Sequence, residues 1–90
     1  MGVLRLEIVT PLGVAFEADG LDEIVLRRKE ADRAEGSEIA IFRNHAPLLV
    51  LTGDHELRYV REGEKHHVHV GEGAAEVIDD TVTLLTSSVG

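Results

Sequence analysis

Cysteine and tryptophan are absent from this 90-residue chain, and aromatic residues make up only 3% of it. Without cysteine the chain has no disulfide, no thiolate nucleophile and no cysteine-ligated zinc. With so few aromatic rings, valine, isoleucine, leucine and alanine must fill the interior. The β-branched members of that set suit the pleated surface of a β-sheet, so the composition already favours strands.

Long apolar runs and an excess of basic residues are missing as well. No run approaches the roughly 20 apolar residues of a membrane-spanning helix, and the alternating start with an acid at Glu7 is unlike a signal peptide. The formal net charge of −8 opposes binding to nucleic-acid phosphates and to anionic lipid headgroups. We therefore expect a soluble, cytoplasmic chain with no nucleic-acid partner and no direct insertion into lipid.

The chain does contain enough apolar residues for one folded domain. They make up 43% of the 90 positions, which favours a folded chain over a disordered one, and this length predicts a single domain over residues 1–90. The dominant pattern is strict alternation of apolar and polar residues. It is clearest near the start, where Leu4, Leu6 and Ile8 share one face of a predicted strand.

Turn residues divide this alternation into short predicted strands. After a turn at 10–13, Val14 and Phe16 are expected to face the interior, and Leu21 to Leu26 is predicted as the next strand. Residues 27–37, the longest polar stretch, are predicted to form a charged loop. Further strands are predicted at 38–42, 48–51, 56–60, 65–70, 74–78 and 81–85. Short strands at regular spacing predict an all-β fold, a small antiparallel β-sandwich.

A histidine-rich strand raises the question of a metal centre. His67 and His69 project from one face of the predicted strand 65–70, where two imidazoles can share a divalent ion, and Glu72 follows. A cupin-like metal enzyme uses such a pair, with a longer spacing to its glutamate and a later histidine that this chain lacks. The alternative, which we favour, makes both histidines outward polar positions, with His66 facing the interior.

Three other polar groups are candidates for chemistry, but none forms an active site. His45 has no serine or aspartate at a local spacing that would use it as a base, and its neighbours indicate a turn. Asp79 and Asp80 lie on a predicted hairpin tip, where adjacent carboxylates point apart. Residues 71–73 lack the lysine and the helix of a phosphate loop and indicate a bend. We therefore expect no catalysis, no cofactor and no metal ion.

Five segments, taken in order, resemble one known family. Residues 6–17 resemble the opening of the epsilon subunits of F-type ATP synthases, called delta in mitochondria: a strand, a Thr-Pro turn and a Phe-containing strand. Residues 44–49, Asn-His-Ala-Pro-Leu-Leu, resemble the most recognisable motif of that family. Residues 56–59, 71–77 and 81–85 are similar to its remaining strands. The resemblance covers nearly the whole chain, which is identified as a member of this family.

The resemblance implies a structural rotor subunit of the central stalk, not an enzyme. Such a sandwich packs on the gamma subunit and sets its lower end on the ring of c subunits, so that ion-driven rotation of the ring turns gamma and drives ATP synthesis. It implies a peripheral place at the cytoplasmic face of the bacterial inner membrane. The acidic charge suits docking onto basic loops of gamma or c. The implied interface residues are Thr10, His45, Ala46, Pro47, Leu48 and Leu49, with Glu30, Asp32, Arg33, Glu35 and Ser37 near the ring.

Two departures from the family pattern carry expectations of their own. The Gly-rich stretch that precedes the His-Ala-Pro segment is replaced here by residues 35–41, within a longer and more charged loop. The family continues into a C-terminal helical hairpin that inhibits ATP hydrolysis and in some bacteria binds ATP. This sequence stops at Gly90, and for a chain that is complete there we expect the inhibitory function and that nucleotide site to be missing.

Two alternatives to an interface in the rotor stay open at the level of the sequence. In the first, Leu48 and Leu49 pack in the core of the sandwich and contact no partner. In the second, the chain is a stand-alone β-sandwich binding or assembly module that is related to epsilon subunits and works elsewhere.

Overall fold

The computed structural model describes residues 2–29 and 38–90. Those residues form strands and turns and no helix, which confirms the all-β prediction. The described part of the chain therefore contains no helix that could span a membrane. The strands are β1 (Leu4–Thr10), β2 (Gly13–Leu21), β3 (Glu23–Arg27), β4 (Glu38–Ile41), β5 (Leu48–Thr52), β6 (His55–Arg61), β7 (Glu64–Val70), β8 (Gly73–Ile78) and β9 (Thr81–Thr86).

The strands form two packed sheets, as the predicted sandwich requires. A five-stranded sheet has the order β2-β1-β9-β8-β5, and a four-stranded sheet has the order β4-β3-β6-β7. The strand pairs are antiparallel except for β1 and β9, which run parallel with Ile8 opposite Leu84. The first and last strands of the described chain therefore lie side by side within the larger sheet, so that the sandwich is antiparallel apart from this pair.

The interior between the sheets is aliphatic, as the composition predicts. Leu6 of β1 and Leu84 of β9 are fully buried. Along each of these two strands, buried positions alternate with more exposed ones. Tyr59 of β6 is buried in this core and stacks on His66 of β7 with a distance of 5.0 Å between ring centroids. The predicted inward position of His66 agrees with this contact.

The predicted strand from Leu21 to Leu26 is in fact two strands in different sheets. β2 ends at Leu21, the chain bends at Asp22, and β3 begins in the four-stranded sheet. Leu21 and Ile24 are both fully buried although they are three positions apart, so the two-residue alternation is broken at the bend. The chain therefore crosses from one layer of the sandwich to the other at Asp22.

The predicted inward position of Val14 is wrong. The pairing of β1 with β2 is irregular between Ile8 and Val9, so that Ile8 lies opposite Phe16 and Val9 lies opposite Val14. An extra residue in one strand reverses the face on which the following side chains lie. Phe16 therefore packs against the core, whereas Val14 is 55% exposed on the outer face.

Two tight hairpins connect strands of the second half, one of them at the predicted tip of Asp79 and Asp80. Glu62 and Gly63 between β6 and β7 have φ values of 52° and 79°, and Asp79 and Asp80 between β8 and β9 have φ values of 49° and 62°. Two central residues with positive φ define the turn whose twist matches that of antiparallel strands. Each turn thereby fixes the register of the two strands that it connects.

The two ends of the five-stranded sheet carry different loops. At one end, here called the Thr10 end, β1 turns into β2, β5 ends and β8 begins. Lys29 reaches the same end, because its backbone N–H donates to the carbonyl of Leu51 at 2.9 Å. At the opposite end, here called the Asp80 end, the β8–β9 turn meets the β4–β5 connection. The backbone N–H of Asn44 donates there to the Asp80 carboxylate at 2.6 Å.

Candidate interaction surface

Five apolar side chains form a continuous row across the outer face of the five-stranded sheet. The strand register places Leu51 opposite Ala74, Ala74 opposite Leu85, Leu85 opposite Val9 and Val9 opposite Val14. Partners in register lie on the same face of a sheet, so one residue from each strand contributes to the row. We call this set, Val9, Val14, Leu51, Ala74 and Leu85, the apolar row.

The apolar row is open to solvent in the isolated chain. Leu51 is 63% exposed, and Leu85 and Val14 are each 55% exposed. Two further leucines extend the surface: Leu49, one outward position before Leu51 on β5, is 74% exposed, and Leu12 at the tip of the β1–β2 turn is fully exposed. Contiguous exposed apolar surface of this kind marks a site of interaction with another protein.

The β1–β2 side of this outer face is charged, and its three acids share one cation. The Arg5 guanidinium donates to Asp19 at 2.7 Å, to Glu7 at 3.2 Å and to Glu17. These hydrogen bonds, above all the one to Asp19, raise the pKa of Arg5 above its ordinary value. The acids beside the apolar row on β1 and β2 therefore have a cation within the chain itself.

The outer face of the four-stranded sheet differs, because it carries mixed charges and no comparable apolar row among the described residues. Its register sets Arg58 opposite both Val25 and His67, and Arg58 donates to Glu38 at 2.9 Å. His69 of the same face lies 3.2 Å from Glu56. Such a face is well solvated. The two outer surfaces of the sandwich therefore differ in the partners that they suit.

At the Thr10 end two short backbone bridges join segments of one sheet to segments of the other. Arg28 pairs with Thr52, and Val70 pairs with Val89, each as a short antiparallel bridge. His55 lies beside the first bridge, where its Nδ1 contacts the Gly53 carbonyl at 2.7 Å and its Nε2 accepts the Arg27 N–H at 3.2 Å. These bonds fix both layers to each other at the end where the polar stretch 27–37 begins.

The predicted interface residues do not form one cluster. Thr10 lies at the Thr10 end, where its hydroxyl accepts the N–H of Leu12 at 3.2 Å. His45, Ala46 and Pro47 lie in the connection at the opposite, Asp80 end, and the His45 Nδ1 is 2.7 Å from the Ala46 carbonyl. The remaining predicted residues of the charged loop, Glu30, Asp32, Arg33, Glu35 and Ser37, lie outside the described residues.

Leu48 and Leu49 point to opposite sides of β5. Leu48 is half-buried and packs against the core, which agrees with the alternative of plain core packing for this residue. Leu49 projects outward beside the apolar row and is free for a partner. Sequence reasoning missed Val9, Val14, Leu51, Ala74 and Leu85, because the row exists only once strands that are distant in sequence pair in register.

The histidine strand shows the arrangement of the favoured alternative. His67 and His69 lie on the outer face, but His69 contacts the Asp54 and Glu56 carboxylates at 2.9 and 3.2 Å, and Glu72 pairs with Lys29 at 3.1 Å. Within residues 2–29 and 38–90, no three histidine or carboxylate side chains are grouped to hold a metal ion. The geometry of these residues does not support the cupin-like alternative.

Comparison with known proteins finds relatives in one family. The family described as ATP synthase, Delta/Epsilon chain, beta-sandwich domain matches residues 3–89. The ATP synthase epsilon chain of Nitratidesulfovibrio vulgaris is 37% identical over 89 residues, which cover 94% of this chain and 58% of the relative. That of Caldicellulosiruptor bescii is 32% identical over 89 residues, which cover 99% of this chain and 60% of the relative. The chain thus spans somewhat more than half the length of these relatives.

Solved structures share the fold. A chain in the structure of the Euglena gracilis mitochondrial ATP synthase (OSCP/F1/c-ring) has a TM-score of 0.80 and 18% identity, covering 100% of this chain and 54% of that chain. A chain in the Tetrahymena thermophila mitochondrial ATP synthase central stalk/c-ring structure has a TM-score of 0.72 and 14% identity, covering 100% and 69%. At these identities the likeness establishes a common architecture.

Proposed function

Because this chain belongs to the delta/epsilon β-sandwich family of ATP synthases, we propose that it is the sandwich part of a central-stalk rotor subunit. In this function it links the gamma subunit to the ring of c subunits, so that ion-driven rotation of the ring turns gamma and drives ATP synthesis. It transmits torque through its surfaces and makes or breaks no bonds. The complex holds it at the cytoplasmic face of the bacterial inner membrane.

The apolar row is the observation that carries this proposal. A rotor subunit has to stay attached to its neighbour under load, and burial of apolar surface is the main source of stable association. The row spans all five strands of one sheet, so a load on it is shared by the hydrogen bonds of the whole sheet. We assign gamma to this face, with Leu49 and Leu51 at its β5 edge.

The Thr10 end is the part that we assign to the c ring. The fully exposed Leu12 lies there, together with Lys29 and Glu38, which flank the predicted ring-contacting residues 30–37. The bridge between Arg28 and Thr52 stiffens the same end by joining the sheets. In this arrangement the ring contacts the end at which the two sheets are joined, while gamma binds the outer face of the five-stranded sheet.

A binding measurement with gamma tests the proposal directly. Leu51→Asp combined with Leu85→Asp places two charges in the apolar row at exposed positions, where they do not disturb the core. Because each charge would lose its hydration in the interface, we expect the affinity for gamma to fall by at least about 100-fold. Titration calorimetry of the full chain with purified gamma provides the measurement.

The matched control is Ala40→Asp, a charge at an exposed position on β4 in the other sheet. This variant should bind gamma within about twofold of the unaltered chain, because surface changes outside an interface have little effect. Absence of gamma binding by the unaltered chain would refute the proposal and favour the stand-alone module. Equal loss of binding in both variants would refute the assignment of gamma to the apolar row.

A further inference from the structure

We propose that the partner surface covering the apolar row presents a basic side chain, a guanidinium or an ammonium group, to Glu76. This inference rests on the proposed function, because it specifies the chemistry by which gamma is recognised at the same face. Glu76 is exposed in the middle of β8, on the outer side of the sheet. It lies one outward position away from Ala74, a member of the apolar row.

The surroundings of Glu76 are uncharged. Along β8 its neighbours on the same face are Ala74 and Ile78, and across the sheet it lies opposite Leu49 of β5 and Thr83 of β9. Three of these four neighbours are apolar, and Leu49 and Ile78 are exposed. A carboxylate in such a position becomes enclosed by apolar groups when a partner covers the face.

Glu76 also differs from Glu7, Glu17 and Asp19, the acids on the β1–β2 side of the same outer face, which have Arg5 as a cationic partner. Glu72 likewise pairs with Lys29 at the Thr10 end. Among the residues that the structure describes, no basic side chain forms an ion pair or hydrogen bond with Glu76. Its charge is therefore available to a partner.

Physical chemistry restricts what can cover this residue. A carboxylate that is removed from water without a partner is strongly unfavourable, whereas one that meets a guanidinium or ammonium group gains a charge-assisted hydrogen bond. A purely apolar partner surface over the row would be penalised at Glu76. A partner with one basic group at that point is selected over it, which gives the apolar face both orientation and specificity.

The test compares two variants, each of which removes one negative charge at a different place. Glu76→Gln keeps the size of the side chain and its carbonyl acceptor, and Glu64→Gln removes an acid from the four-stranded sheet, away from the apolar row. We expect Glu76→Gln to weaken gamma binding at least about tenfold and Glu64→Gln to change it less than about twofold. Thermal unfolding of each variant verifies that the fold is retained.

A charge reversal identifies the partner group. Glu76→Lys should bind more weakly than Glu76→Gln, and changing one lysine or arginine of gamma to glutamate should restore its binding. If Glu76→Gln binds as tightly as the unaltered chain while Leu51→Asp with Leu85→Asp abolishes binding, this inference is overturned and the proposed function stands. If the unaltered chain fails to bind gamma, the proposed function fails, and the inference falls with it.

Discussion

Among single residues, His55 is a buried histidine whose two ring nitrogens both form hydrogen bonds to the backbone. The residue is only 6% exposed, and its two ring nitrogens serve opposite roles: Nδ1–H donates to the Gly53 carbonyl, whereas Nε2 accepts the Arg27 N–H. Only a neutral imidazole can do both. Burial lowers the pKa of His55 below its ordinary value of 6.5; the charges of Arg27 and His69 add to this, and the Gly53 carbonyl and Asp54 oppose it.

The stability of the chain should therefore depend on pH through His55. The folded chain takes up a proton at this ring less readily than the unfolded chain does. The stabilisation of the fold by the neutral ring is therefore complete above about pH 6.5 and is lost as the pH falls below it. We expect the free energy of unfolding to decrease there by up to about 1.4 kcal/mol per pH unit from this group. Urea unfolding between about pH 7.5 and 5.5 measures the decrease.

Two histidine variants isolate this contribution. In His55→Gln the unfolding free energy should be lower at neutral pH, since the ring's bonds to two backbone groups are altered, and its decrease toward low pH should be shallower. His67→Gln, at an exposed position of β7, should keep the slope of the unaltered chain. Parallel curves for the unaltered chain and His55→Gln would show that another group is responsible.

At the scale of strands and turns, the local signals in the sequence predicted most of the fold. Strict alternation located β1, β6, β7, β8 and β9, because each has one buried face, and turn residues located the hairpins between them. The bend at Asp22 was missed, although the three-residue spacing of Leu21 and Ile24 indicates it. The parallel pair of β1 and β9 could not be predicted from local pattern, since it joins segments far apart in the chain.

The start of β8 provides a prediction at this scale. A Cβ atom at Gly73 would lie 1.9 Å from the carbonyl oxygen of Leu85, so only glycine allows β8 and β9 to approach as they do. We expect Gly73→Ala to lower the free energy of unfolding by about 1–3 kcal/mol or more, because backbone has to move. It should also weaken gamma binding, since the two strands carry Ala74 and Leu85 of the apolar row.

Gly53 provides the matched control for this change. A Cβ at Gly53 meets nothing within 4 Å, and its φ is not positive. Gly53→Ala should therefore alter the free energy of unfolding by less than about 0.5 kcal/mol. Chemical denaturation of both variants is the measurement, and equal effects on the two would contradict the close approach of β8 and β9.

For the molecule as a whole, the sandwich presents two unlike faces, and the sequence revealed this only in part. It predicted Leu49 and Thr10 as interface residues from the family resemblance, and that role stays a prediction. It did not indicate that Val9, Val14 and Leu85 meet, because the pairing of distant strands decides which exposed apolar residues become neighbours. A single exposed apolar residue does not indicate an interaction site, whereas a row of them across five strands does.

The central claim, that the apolar face of the five-stranded sheet is the side held by gamma, can be tested by cysteine protection, since the chain has no cysteine of its own. Leu85→Cys and Ala40→Cys place one thiol on each outer face at exposed positions. Maleimide should label both thiols in the free chain. After gamma is added, labelling of Leu85→Cys should slow at least about tenfold, because a covered thiol reacts only when the interface opens, while Ala40→Cys keeps its rate. Unchanged labelling of Leu85→Cys in a complex that has formed, with protection at Ala40→Cys, would contradict the account.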